Sequence, residues 1–400
     1  MVQKAIKKIV EHRHFWRTVG FDELSELYTS QLLRSLAASL VGIFVPIYLY
    51  KIGYSLPAIT AMYLVWFLAR PLWAYVSARI IGAWGPKHAI ALSVILQIIY
   101  LSLVLTQEHT RNPLWIIGVV GSFSFGLYMM AFEVDFSKIK HTEHGGKELG
   151  FLQICERIGA VLGPLVGGVI ATVFDPRYTI ALAIVVLIAS LVPIFMTKEP
   201  TRLNQQIVIK GFPWRRHRRD FFVSTAFILE NVISITIWPL FLGVFVLVSN
   251  TYAVLGLLTA VSTGVALVAI MAIGKLIDKN QGKRLLNIGA YTNAVIHLFR
   301  PFVTSPLGAL GIGLVNEPVT AMYRMPFIKG RYDASDSVPG YRIVYFMLLE
   351  WVNAVGNVIF WGALTIALLV GPDKLALQAT FLLGALLSIA ITRQRFAALQ

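Results

Sequence analysis

The sequence predicts an all-α membrane protein, a bundle of twelve helices, and three observations carry that prediction. Hydrophobic residues make up 57% of the 400 and charged residues only 14%, with a mean hydropathy of +0.71. A soluble domain carries roughly 25% charged residues, so a water-soluble enzyme is excluded, and so is a disordered chain. Next, twelve apolar stretches, most of them close to the length of about 20 residues that a bilayer demands, are separated by polar residues, glycine or proline. Lastly, 27 of the 35 Lys and Arg fall in the tails, the central segment and one set of alternate loops, against 4 in the other set. Backbone groups in hydrocarbon must be satisfied internally, so the spans are helices or a closed barrel. Apolar runs of this length without strict alternation favour helices.

The elements follow in order. Residues 1–31 form a basic segment holding Lys4, Lys7, Lys8, Arg13 and Arg17. It lacks the apolar core of a cleavable signal and reads as an interfacial basic helix or a frayed tail. Span 1 covers 32–50. Span 2 covers 57–82 and is followed by a basic turn with Lys87. Spans 3 and 4 cover 89–106 and 114–132, and a loop with Lys138, Lys140 and Lys147 leads to span 5, 152–173, and span 6, 178–196. The polar interruption at 198–220 contains Pro200, Gly211 and Pro213 and the cluster Trp214, Arg215, Arg216, His217, Arg218 and Arg219. This linker divides the chain into two six-span halves, 32–197 and 221–400. Spans 7 to 12 then cover 221–248, 252–277, 285–303, 307–322, 343–370 and 375–391. The positive-inside bias puts both ends of the chain in the cytoplasm, with the protein in the cell membrane. The basic excess therefore reads as topology and contact with anionic lipid, not as nucleic-acid binding. One cysteine, Cys155, and histidines without paired ligand spacing predict no metal and no cofactor.

Two motifs stand out. After span 8 come Gly274, Leu276, Asp278, Lys279, Gly282, Lys283 and Arg284; a weaker glycine-plus-basic echo, Gly85 to His88, follows span 2. Span 5 carries Gly150, Gly159, Gly163, Pro164, Gly167 and Gly168, in which Gly159, Gly163 and Gly167 recur every four residues on one face. Small residues at that spacing let another helix approach closely, and Pro164 removes a backbone donor.

With twelve spans, a basic centre and these loops, the chain resembles the major facilitator superfamily, and span 5 resembles the glycine–proline signature of its drug–proton antiporters. The resemblance departs from the family in the first half, where no acid occurs between Trp73 and Lys87, and in span 4, which lacks an arginine. The resemblance implies two pseudo-symmetric six-helix bundles. It implies that span 5 packs on span 8 and controls leak, and that Asp278 meets the start of span 5 near Lys147. It also places span 9 at the periphery, so that Arg300 snorkels outward.

Charges inside a span cost at least about 2.5–3.5 kcal/mol at the bilayer centre and usually face a bundle interior or a wet cavity. Glu317, flanked by Asn316 and Pro318, is the deepest acid. Glu230, Ser234 and Trp238 recur every four residues on span 7, and Glu350, Asn353, Asn357 and Trp361 form a stripe on span 11. Each stripe lines a cavity or bonds a neighbouring helix. Arg34 snorkels or faces inward; Arg70, beside Pro71, is deeper. Glu156 sits on the glycine face of span 5 and Arg157 a quarter-turn away, where it faces the cavity or pairs locally. Acids concentrate in the second half and arginines in the first.

These readings converge on a monomeric secondary transporter working by alternating access, exporting a small organic molecule in exchange for protons. Uptake of a metabolite or sugar is the alternative within the fold. From another class, a membrane enzyme acting on lipid-linked substrates would need clustered acids in outer loops. Those loops hold only Glu108, Asp175 and Asp373, unclustered.

Overall fold

The computed structural model describes residues 23–139, 145–196, 207–247, 250–276, 281–338 and 340–396, and among them no strand occurs. Twelve helical rods carry the fold. Span 1 is Glu23–Val41 followed by Val45–Lys51, broken where Pro46 withholds a backbone donor. Spans 2 to 5 are Leu56–Trp84, Pro86–Thr110, Leu114–Ile139 and Gly145–Val173. Span 6 is Pro176–Ala189 with Leu191–Ile194. Span 7 runs from Trp214–Val232 through two wide π turns, Ile233–Ile237 and Leu242–Val246, on either side of Trp238–Phe241, where Pro239 cannot donate to the ladder. Spans 8 to 12 are Thr251–Leu276, Gly282–Phe299, Pro306–Asp336, Arg342–Val370 and Asp373–Ile391.

Ten rods among the described residues are long and apolar enough to cross a membrane. Spans 9 and 10 fall short because span 9 carries Lys283, Arg284, Asn293 and His297 and span 10 carries Asn316, Glu317, Arg324 and Arg331; of these Asn293, His297, Asn316 and Arg331 are buried.

Helix starts shift furthest from the sequence expectation at spans 1, 5 and 7, with span 5 beginning at Gly145 rather than 152. Span 1 begins at Glu23 rather than 32, since its polar first turns still bury a face: Glu26 is buried and pairs with Lys87 at 3.0 Å. Span 7 begins at Trp214, so the basic cluster assigned to the linker is helical. His217 and Asp220 turn inward there, while Arg215, Arg216, Arg218 and Arg219 stay exposed. Counting apolar residues ends a span where polarity begins, whereas an amphipathic helix continues past that point.

Apolar clusters join the halves at both ends. At the end carrying the basic loops, Tyr128, Phe132 and Phe136 of the first half share a core with Tyr332, Tyr345 and Phe346 of the second. At the opposite end Phe44, Ile47 and Leu56 share one with Tyr252, Trp361 and Leu364.

Span 6 starts with a charged cap. The Asp175 side chain accepts from the Arg177 backbone N–H at 2.7 Å and from its Nε and Nη2 at 2.9 and 3.1 Å. The side-chain bonds from Arg177 hold the Asp175 carboxyl below the usual carboxylate range. A depressed folded value contributes stability that is present above the unfolded value of about 3.9 and lost as pH falls through the folded one. Asp175→Asn keeps a capping oxygen but not the charge. Thermal unfolding in detergent is expected to show a loss of no more than about 1 kcal/mol at neutral pH and no difference from the native chain at the most acidic pH that both tolerate.

Candidate functional site

Among the described residues, three ion pairs bridge the halves. Arg70 on span 2 donates through Nε to Glu350 on span 11 at 2.6 Å, and through Nη1 to the Ser122 carbonyl on span 4 at 2.9 Å. Arg157 on span 5 donates to Glu317 on span 10. Arg331, lower on span 10, donates to Glu133 on span 4. Neutral contacts flank them: Trp351 Nε1 donates to the Pro71 carbonyl at 2.9 Å, and Thr365 Oγ1 donates to Thr60 Oγ1 at 3.0 Å. Tyr63 stacks on Trp361 with ring centres 4.6 Å apart. At the end opposite the basic loops, Lys51 Nζ donates to Thr251 Oγ1 at 2.9 Å, and Phe44 meets the Tyr252 ring edge-on at 5.6 Å. The two halves are thus closed on each other at both ends, with charge concentrated between.

The first half presents a second polar chain. Arg34 lies flat over the Tyr128 ring, 3.4 Å from its centre. Tyr128 donates its hydroxyl to Gln31, whose Nε2 donates to Glu156 Oε1 at 2.8 Å. Arg34 is 5% exposed, so it stacks inside the protein rather than snorkelling. Glu156 lies on the glycine face of span 5, against span 1, and the neighbouring Arg157 reaches across to the other half.

The stripe on span 7 turns elsewhere. Glu230 is sealed inside the second half, where it accepts from Ser234 Oγ at 2.7 Å, Asn293 Nδ2 at 3.0 Å and Tyr323 Oη at 2.6 Å, and meets His297 Nε2 at 3.1 Å. Arg300 continues the network: Nη1 donates to Ser234 Oγ at 2.9 Å, Nη2 donates to Asn316 Oδ1 at 3.0 Å, and the guanidinium sits over Trp238. The expected cavity-lining face of Glu230 and Trp238 is therefore an internal seam between spans 7, 9, 10 and 12. Arg300 is wholly buried in it instead of facing outward. Sequence reasoning missed Asn293, His297 and Arg300 as a group, although their spacing of four and three marks one face of span 9.

The span 11 stripe divides. Glu350 reaches span 2, Asn353 Oδ1 accepts from Thr225 Oγ1 of span 7 at 3.2 Å, and the buried Asn357 donates to the Asn353 carbonyl at 2.9 Å.

The span 5 motif also divides. A Cβ at Gly159 would lie 2.5 Å from the Leu36 backbone nitrogen, at Gly163 2.5 Å from Ser39 Cβ, and at Gly167 2.5 Å from the Leu40 carbonyl. The four-residue series thus seats span 1, not span 8. Span 8 meets the adjacent face, where a Cβ at Gly168 would lie 2.6 Å from the Tyr252 carbonyl and one at Gly256 would strike the Pro164 carbonyl. The backbones of Gly150 and Gly274 are helical. In the loop motif Asp278 lies outside the described residues, Gly282 opens span 9, and Lys283 and Arg284 are exposed.

The sequence profile of the Major Facilitator Superfamily matches residues 27–328. An uncharacterized protein of Bacillus subtilis (strain 168), YqgE, is 24% identical over 263 residues, 64% of this chain; the chain spans 61% of that relative's length. The nucleoside transporter NupG superposes with a TM-score of 0.66 at 12% identity, covering 93% of this chain and 98% of its own. A D-xylose–proton symporter superposes with a TM-score of 0.66 at 14% identity, covering 91% and 96%. The two solved structures are both of transporters.

Proposed function

The chain belongs to the Major Facilitator Superfamily, and from that premise we propose that this multi-pass membrane protein moves a small organic solute by alternating access, coupled to protons. The basic loops and both chain ends lie in the cytoplasm. The observation that carries the reading is the set of ion pairs between the halves, above all Arg157–Glu317 and Arg70–Glu350. For the bundles to rock apart these pairs must open, and an opened, half-desolvated carboxylate is costly. A proton on Glu317 or Glu350 removes the attraction and the cost together. Proton binding and parting of the halves are then one event. Opposite charges on the two walls also suit a solute with polar groups at both ends.

Export in exchange for protons is the direction we favour. Its support is the span 5 glycine–proline series, which sits at the crossing with both span 1 and span 8 and so is placed to govern closure. Uptake of a metabolite or sugar remains the competing direction.

The test begins with a ligand-stability screen on the purified chain to find a solute, followed by flux in vesicles with and without a pH gradient. Glu317→Gln and Glu350→Gln are expected to abolish gradient-driven movement while leaving passive exchange of the same solute. Unchanged coupling in both variants sinks the proton assignment, and no movement of any stabilising solute sinks transport itself.

A further inference from the structure

The buried cations of the interior are almost all accounted for. Arg70 has Glu350, Arg331 has Glu133 and Lys87 has Glu26. Arg300 has Ser234 and Asn316, with Glu230 and Glu317 in electrostatic reach. The less buried Arg157 has Glu317. Arg324, also partly exposed, lies near Asn231 Oδ1 at 3.5 Å and faces Glu156 and Glu317. Arg34 is the exception among the described residues. It is 5% exposed, its Nη1 has no hydrogen-bond partner, no acid pairs with it, and its one neighbour of note is the face of the Tyr128 ring. A buried cation without a partner is costly, and a ring face offsets only part of that.

The position of Arg34 gives this burial meaning. Tyr128 and Glu156, linked through Gln31, lie within electrostatic reach of Tyr332 on span 10, so Arg34 stands on the wall of the first half that meets the second. The three pairs that bridge the halves are each neutral, and Glu156 faces Arg324. Of the cations placed on this wall, Arg34 is the one that no carboxylate matches among the described residues.

We infer that the transported solute is an organic anion and that Arg34 takes its carboxylate or phosphate group. This deepens the transporter reading and rests on it. The planar guanidinium offers two parallel donors that match either group. The aromatic floor of Tyr128 holds it in place.

The test uses the purified full chain in neutral detergent with phosphatidylcholine. Thermal unfolding is followed with matched probes: benzoate against benzamide, lactate against lactamide, glycerol 3-phosphate against glycerol. At least one anion is expected to raise the melting temperature saturably while its neutral twin does not. Arg34→Gln is expected to weaken that anion at least about tenfold, the scale of one lost charge-assisted bond, with Arg34→Lys keeping part of the affinity. Should the Gln variant not fold, the matched probes on the native chain and the Lys variant still decide. Equal stabilisation by neutral twins, undiminished anion binding by Arg34→Gln, or a response only to phosphatidylglycerol in place of phosphatidylcholine would each overturn the assignment. Vesicle flux separates the two readings. Transport of a neutral solute that ignores Arg34 removes the anion and leaves the transporter, whereas Arg34-dependent binding of an anion that never crosses removes the transporter and leaves the anion site.

Discussion

Glu230→Ala is expected to cost the protein about 3–5 kcal/mol of stability, the range for removing one partner of a buried ion pair. The carboxylate accepts from Ser234, Asn293 and Tyr323 and meets His297. It is the acid inside a seam that holds the fully buried Arg300. Without it, Arg300 keeps only neutral acceptors and three donors lose their common oxygen atoms. Thermal or denaturant unfolding of the second half in detergent measures the loss. The double variant Glu230→Leu with Arg300→Met is expected to recover only part of it, because it removes the stranded charge but still leaves Asn293 and Tyr323 without their acceptor. A single variant that unfolds like the native chain would show that the seam contributes little. Recovery in the double variant combined with loss of transport would separate the seam's role in function from its role in folding.

Gly256→Val is expected to force the halves apart at the end opposite the basic loops. The missing side chain of Gly256 faces the Pro164 carbonyl, and Gly168 meets the Tyr252 carbonyl on the same crossing of spans 5 and 8. A valine has nowhere to go, because the obstacle is backbone. Overpacking of this kind costs about 1–3 kcal/mol, and here it falls on the contact between the bundles rather than within either one. A bias of that size changes the ratio of closed to open forms by roughly 5- to 150-fold. A cysteine introduced as Ala253→Cys reads it through labelling by a water-soluble maleimide, against a native Cys155 that is buried. Faster labelling in the Gly256→Val background is the expected result; an unchanged rate would mean that spans 5 and 8 do not set this closure.

What the sequence could and could not say follows from how a membrane bundle is built. The rods were legible because apolar length is a one-dimensional signal, and the basic connectors on one side announce themselves by charge. The all-α fold followed from those signals, and the two six-helix bundles from the family resemblance. The rotation of each rod was not legible, because packing sets it. Glu230 and Glu350 look alike in sequence, each heading a polar stripe, yet one is sealed among spans 7, 9, 10 and 12 while the other reaches span 2. The glycine series on span 5 announced a close crossing, but only the structure gives span 1 as its partner. Arg300 was assigned outward through the expected place of its helix, while Asn293 and His297 on the same face already pointed to a polar interior.

The start of span 7 has a mechanical consequence. Its basic first turns are one continuous helix with the membrane rod. They are stapled to the last residues described: Arg219 Nε donates to the Arg393 carbonyl at 3.0 Å, and Asp220 accepts from the Arg395 backbone at 3.1 Å. In the proposed alternating access, one rigid rod would therefore pass any tilt of the second half, as by a crank, to four exposed arginines.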